Sequence, residues 1–104
     1  VTLGNLDALF LELDSLYGRR TRLWITEYGY QTNPPDSGFG VSYGKQSACL
    51  TQAIGIARRH PRIDIFLWFL FQDEPRLGGW QSGLVTFEGK RKSSYNAFRR
   101  AILG

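Results

Sequence analysis

Trp24-Ile25-Thr26-Glu27-Tyr28-Gly29-Tyr30-Gln31 is an apolar stretch that ends on a carboxylate and passes at once into a segment rich in Gly and Pro. From Leu23 to Tyr28 it is bulky and almost continuously apolar, the pattern of a parallel strand covered on both faces. A charge at the exit of such a strand is disfavoured by its low-dielectric neighbours unless something uses it. Glu27 is therefore the first candidate for chemistry. A second stretch repeats the design: Ile63 to Phe71 is apolar except for Asp64, and Gln72-Asp73-Glu74-Pro75 closes it with polar groups.

Helical patterns alternate with these strands. Leu3, Leu6, Leu9, Phe10, Leu13, Leu16 and Tyr17 recur at steps of three and four, with Asn5, Asp7, Glu12 and Asp14 between them, and Gly18 ends the run. The segment from Gly29 to Val41 carries Asn33-Pro34-Pro35-Asp36, Gly38 and Gly40, so neither a helix nor a ladder runs through it. Ser42 is placed to cap a second helix, lined on one face by Leu50, Ala53, Ile54 and Ala57 and stopped at Arg58-Arg59-His60-Pro61. After the second strand, a Gly-rich loop over Leu77 to Gly83 and an extended piece over Leu84 to Phe87 lead to a last helix. It begins near Ser93 and packs through Tyr95, Phe98 and Ile102.

Helix, strand, helix, strand, helix is the order of a parallel α/β architecture built from right-handed crossovers. No GxGxxG and no phosphate-cradling loop follows either strand, which favours a barrel over a nucleotide-binding open sheet. In a (β/α)8 barrel the functional groups gather where strands end, which is where Glu27 and the Gln72-Asp73-Glu74 cluster fall. Three helices leave an edge and much apolar area of two such strands uncovered. Residues 1–104 are therefore expected to be one partial barrel segment, incomplete on its own. Either the remainder of a barrel or association with other copies would complete its sheet.

Composition narrows the partners. The chain is 42% hydrophobic and 14% aromatic, which argues against disorder, and its formal charge of +4 comes from cations spread mostly over element ends. A solvated surface is favoured over a nucleic-acid patch. Cys49 stands alone in a helical pattern and reads as a small core residue, so neither a disulfide framework nor a thiolate metal site is expected. No metal or cofactor is expected either. No segment has the layout of a signal peptide, and Ile63 to Phe71 is far short of the about 20 residues that span a bilayer as a helix. The chain reads as soluble, with no membrane partner and its compartment open.

The runs Trp24 to Asp36, Trp68 to Glu74 and Gly79 to Leu84, with Gly89-Lys90-Arg91-Lys92-Ser93-Ser94-Tyr95 leading to Phe98, together resemble the C-terminal end of the clan A retaining glycoside hydrolases. The likeness is nearest to the cellulase-like and family 39-like TIM barrels, and it covers Leu3 to Phe98. It implies that the chain holds helix six, strand seven, helix seven, strand eight and helix eight of a (β/α)8 barrel. It also implies that the full protein cleaves O-glycosidic bonds of β-linked glycosides or polysaccharides.

In that clan the nucleophile is a Glu at the end of strand seven, which places the role on Glu27. Retaining hydrolysis needs two carboxyl groups about 5–5.5 Å apart, one ionised to attack and one protonated to assist departure. The clan's acid/base is a strand-four Glu, usually directly after an Asn, and this sequence has no Asn-Glu pair. Half of the catalytic pair is thus present. Asp73 or Glu74 is a weaker candidate for the other half.

Trp68 resembles the strand-eight tryptophan that floors the sugar site, where the apolar face of a pyranose meets an aromatic ring. Trp80 and Tyr30 are further candidates for sugar contact, against core packing for Trp80 and loop stapling for Tyr30. Gln72 and Asp73 either hold sugar hydroxyls or cap the loop that follows. Trp24 is expected to face the helices on pleat parity, His60 to lie at the end of the barrel opposite Glu27, and Lys92 and Tyr95 to be structural. The alternative to an enzyme segment is a non-catalytic carbohydrate-binding or self-associating module.

Overall fold

The computed structural model describes residues 2–104. A 3-10 turn over Leu3–Asn5 leads into helix α1, Leu6–Tyr17. Strand β1 follows over Leu23–Tyr28, helix α2 over Tyr43–Arg59, strand β2 over Ile63–Trp68 and helix α3 over Ser93–Leu103. The two strands form a parallel pair, and their exits lie at the same end. Local chemistry sets these bounds. Gly18, with φ +85°, turns the chain out of α1 in a conformation open to glycine. The Ser42 hydroxyl accepts from the Lys45 amide at 3.1 Å to start α2, whose last turn carries Arg58 and Arg59.

The core lies on one face of the sheet. Leu50 and Ile54 of α2, Ala97 of α3 and Leu84 are buried together, and Phe66, Trp68, Tyr95 and Phe98 pack around them. At the strands' entry, Phe10 of α1 stacks on His60 with ring centroids 4.6 Å apart, and Arg62 lies over the Phe10 ring while pairing with Asp14 at 2.8 Å. His60 is thus at the end away from Glu27.

The other face of the sheet is bare. Between Ile25 and Tyr28, β1 advances three residues while β2 advances two, from Phe66 to Trp68. This bulge resets the pleat, so that Ile25 and Tyr28 are both half-buried while Thr26 and Glu27 are exposed. Trp24, expected to pack toward the helices, is 61% exposed, and Leu67 on β2 is 50% exposed. The continuous apolar pattern is thus covered on one side only within this chain. Consistent with that, the radius of gyration is 15.2 Å, against about 13 Å for a compact domain of this length. The accessible surface is 7017 Å², against about 5,900 Å² for a compact monomer of this mass.

Strand β2 stops earlier than its composition predicts. Leu70 takes φ +78°, a left-handed conformation that a non-glycine residue adopts at a cost of about 1–3 kcal/mol, so pairing stops short of Phe71. Leu84 to Phe87 is reduced to single bridges of Val85 with Gln72 and with Arg91. Cys49 is half-buried and free. Among the described residues no helix is long and apolar enough to cross a membrane, and no three His, Cys, Asp or Glu side chains converge on a possible metal site.

Candidate active site

The strand exits approach closely because two small residues meet there. The Phe69 amide donates to the Tyr28 carbonyl at 2.8 Å, and a Cβ on Gly29 would lie 3.2 Å from the Ser82 Cβ. Ser82 is fixed from both sides: its hydroxyl donates to the Phe69 carbonyl, and its own carbonyl accepts from the Trp68 indole, each at 2.8 Å. The loop after β2 then folds over the loop after β1. The Thr32 amide donates to the Gln81 carbonyl at 3.1 Å, and the Gln81 amide donates to Gln31 Oε1 at 3.0 Å.

These contacts leave a cleft of about 200 Å³ at the rim. Glu27, Gln31 and Ser82 supply its polar groups; Tyr28, Phe69 and Trp80 supply its aromatic walls, beside Gly29. Phe69 meets Trp80 edge to face with centroids 5.8 Å apart. Trp80 is in turn held by its backbone, which exchanges hydrogen bonds with Glu74. The Trp80 amide donates to Glu74 Oε2 at 2.9 Å, and the Glu74 amide donates to the Trp80 carbonyl at 3.0 Å. Tyr28 lies beside Tyr30 and Trp68, and burial first, then the neighbouring Tyr30, raises its phenol well above the usual tyrosine range.

Of the expected site residues, Glu27 and Trp80 share this cleft, and the others stand around it. Trp68 lies behind the rim against the core, linked to the cleft through Ser82. Tyr30 is half-buried, edge-on to Tyr28 at 5.9 Å, and its carbonyl accepts from Gln46 Nε2. Gln72 donates to the Phe87 carbonyl at 2.7 Å. Asp73 is buried, its Oδ1 accepting from the Gly83 amide and from Lys92 Nζ, both at 2.8 Å. Neither Asp73 nor Glu74 lines the cleft with Glu27, which holds that single carboxylate.

Two buried side chains fasten the rim. Lys92 Nζ, beneath the loops, donates to Asp73, to the Thr32 hydroxyl at 2.8 Å and to the Gln81 carbonyl at 3.1 Å. Burial pulls its ammonium below the usual lysine value, and Asp73 opposes that pull. Gln46 of α2, fully buried, donates from Nε2 toward the carbonyls of Tyr30, Ser82 and Gly83 at 3.1–3.3 Å. Gln46 of α2 and Lys92, the residue that precedes α3, therefore hold the same two loops.

The fold recurs in parts of larger proteins. The chain shares its fold with part of several β-glucuronidases. It superposes on the enzyme of an uncultured Clostridium species with a TM-score of 0.67 at 18% identity, covering 98% of this chain and 19% of that one. For the Bifidobacterium dentium β-glucuronidase complexed with coumarin-3-O-glucuronide, the TM-score is 0.69 at 22% identity, covering 97% and 18%. The Dictyoglomus thermophilum enzyme gives 0.66 at 17%, covering 96% and 19%. Identities this low establish shared architecture, and the chain spans about a fifth of the length of these structures. No protein-family profile matches the sequence, and no curated protein is significantly similar to it.

Phe69, Gln31 and Ser82 are cleft residues that the sequence reading passed over. Phe69 carries a usable signal, since it follows Trp68 with opposite pleat parity and thus faces away from a core-packed tryptophan. Gln31 and Ser82 carry none, because loop contacts alone bring them in.

Proposed function

We propose that this chain supplies the seventh and eighth strands of the (β/α)8 barrel of a retaining β-glycosidase, with Glu27 as its nucleophile. The observation that carries the reading is that Glu27 and Trp80 line one cleft at the common exit of two parallel strands. The likeness to parts of β-glucuronidases supports it. The apolar faces of Trp24 and Leu67 suit burial against the remainder of a barrel.

In this reading Glu27 attacks the anomeric carbon, and its carboxylate oxygen forms a glycosyl ester as the glycosidic C–O bond breaks. The departing oxygen takes a proton from an acid supplied outside this chain. Water, deprotonated by the conjugate base of that acid, then cleaves the ester and restores Glu27. Trp80 packs on the sugar face, while Gln31 and Ser82 hold hydroxyls. Trp68, Tyr30, Gln72 and Asp73 keep the rim in shape. The substrate class is a β-linked glycoside.

A second reading rests on the single carboxylate in the cleft: a chain with no partner acid binds sugar without cleaving it. Replacing Glu27 in the intact protein that carries these residues separates the two. Glu27→Gly is expected to lower kcat on an activated aryl β-glycoside by at least about 10³-fold, on the order of 4 kcal/mol of barrier. Added azide then restores turnover with the α-glycosyl azide as product, because azide occupies the face vacated by the carboxylate. Unchanged turnover, or a β-glycosyl azide, contradicts the nucleophile role. No turnover by the unaltered protein favours the binding module.

A further inference from the structure

A second cleft continues from the first. It measures about 660 Å³, and it shares Gln31 and Trp80 with the cleft that holds Glu27. The smaller cleft falls below the about 300–1,000 Å³ of sites that enclose a whole ligand, whereas the larger falls within that range. Its lips are Phe39, from the loop after β1, and Leu77, from the loop after β2. Phe39 is 86% exposed and Leu77 74% exposed, so neither contributes to the core of this fold.

Both lips are nevertheless built rigidly. Asp36 Oδ1 accepts from the Gly38 and Phe39 amides at 2.9 and 3.0 Å, and Gly40 packs so closely that a Cβ there would lie 2.3 Å from the Asp36 carbonyl. On the facing side the Gly79 amide donates to the Arg76 carbonyl at 2.9 Å, beside the Glu74 clasp on Trp80. Among the described residues, the charged groups lining the two clefts are Glu27 and Asp36, both acidic, and no cation joins them. Such a surface repels an anion and suits an uncharged ring with an apolar face.

We propose that the cleft between Phe39 and Leu77 is the subsite for the leaving group of the glycoside, and that it selects an uncharged ring, either the next sugar or an aromatic aglycone. This rests on the reading of Glu27 as the nucleophile, since in-line attack expels the leaving group away from that carboxylate, and the larger cleft adjoins the smaller through Trp80 and Gln31 without Glu27 among its residues. Phe39 and Leu77 then set leaving-group specificity without touching the reacting atoms.

The test uses the intact protein and a panel of β-glycosyl fluorides of glucose, galactose, mannose, xylose and glucuronic acid to choose the sugar. Fluoride is a one-atom leaving group that does not reach Phe39. With the sugar chosen, kcat/KM is measured for the fluoride, the phenyl β-glycoside, the 4-carboxyphenyl β-glycoside and the β-linked disaccharide. Phe39→Ala and Leu77→Ala are expected to lower kcat/KM on the phenyl glycoside, the disaccharide or both by about five- to tenfold. Fluoride hydrolysis stays within about twofold, and Phe39→Tyr, which keeps the ring, behaves as the parent. Loss on the phenyl substrate alone identifies an aryl leaving group, and loss on the disaccharide alone identifies a sugar. The carboxyphenyl glycoside is expected to be the poorer aryl substrate throughout.

Equal losses on fluoride and ring substrates, no loss on either, or a preference for the carboxyphenyl glycoside overturns the subsite and leaves the nucleophile reading standing. Absence of fluoride hydrolysis across the panel, or fluoride hydrolysis undiminished by Glu27→Gln, overturns both.

Discussion

Lys92 carries its charge into the interior, where the Asp73 carboxylate, the Thr32 hydroxyl and the Gln81 carbonyl receive its three N–H bonds. Removing one member of a buried pair leaves the other charge unsolvated, at about 3–5 kcal/mol. Lys92→Met is expected to destabilise by that amount in urea denaturation, and Lys92→Met with Asp73→Asn to recover more than half of it. An effect below about 1 kcal/mol for the single variant contradicts the pinning role. Tyr28 makes a second residue-level prediction. Its folded-state value is raised by burial and by Tyr30, so the neutral phenol is favoured in the fold. The resulting stability is complete below the ordinary value of 10.0 and is lost as pH rises beyond it, when the unfolded chain ionises first. Stability measured across that alkaline range should fall less steeply in Tyr28→Phe than in the parent. Glu27 was legible as a strand-end carboxylate. The depth of Lys92 and Gln46 was not, because both are long polar side chains whose burial depends on carbonyls brought in from distant loops.

At the scale of elements, composition marks the strands and helices well, since long apolar runs and their caps are local features. Trp24 and Glu27 show where it fails. Period-two parity sends them to opposite faces, but the bulge between Ile25 and Tyr28 leaves both exposed. A bulge is set by pairing with β2, which no single strand encodes. Strand β2 likewise ends at Trp68, two residues before the left-handed backbone of Leu70, although its apolar run continues to Phe71. The loop after β2 is tight. A Cβ on Gly83 would lie 2.5 Å from the Asp73 amide nitrogen and 2.8 Å from Asp73 Oδ1, the acceptor of Lys92. Gly83→Ala must therefore displace backbone, and a destabilisation of about 1–3 kcal/mol is expected in thermal or urea unfolding. A neutral effect would mean that the loop after β2 is not tightly packed against itself at Gly83.

The whole molecule is a layer rather than a closed body. Helices α2 and α3 cover one sheet face, while Trp24 and Leu67 stand in water on the other, and the extents of 46 × 31 × 17 Å follow from that one-sidedness. This much was legible beforehand, because two strands apolar on both sides need more cover than three helices give. The rim gains its meaning at the same scale: the cleft of Glu27 and Trp80 and the Phe39–Leu77 cleft adjoin through Trp80 and Gln31, and Glu27 is the one carboxylate of the smaller cleft, where the proposed retaining chemistry needs two. That Glu27 is the attacking group is tested most directly by trapping the intact protein with a 2-deoxy-2-fluoro β-glycoside and mapping the covalent label by mass spectrometry of its peptides. The label is expected on the peptide that contains Glu27, and to vanish in Glu27→Gln. A label on any other carboxylate, or trapping undiminished by that substitution, contradicts the account.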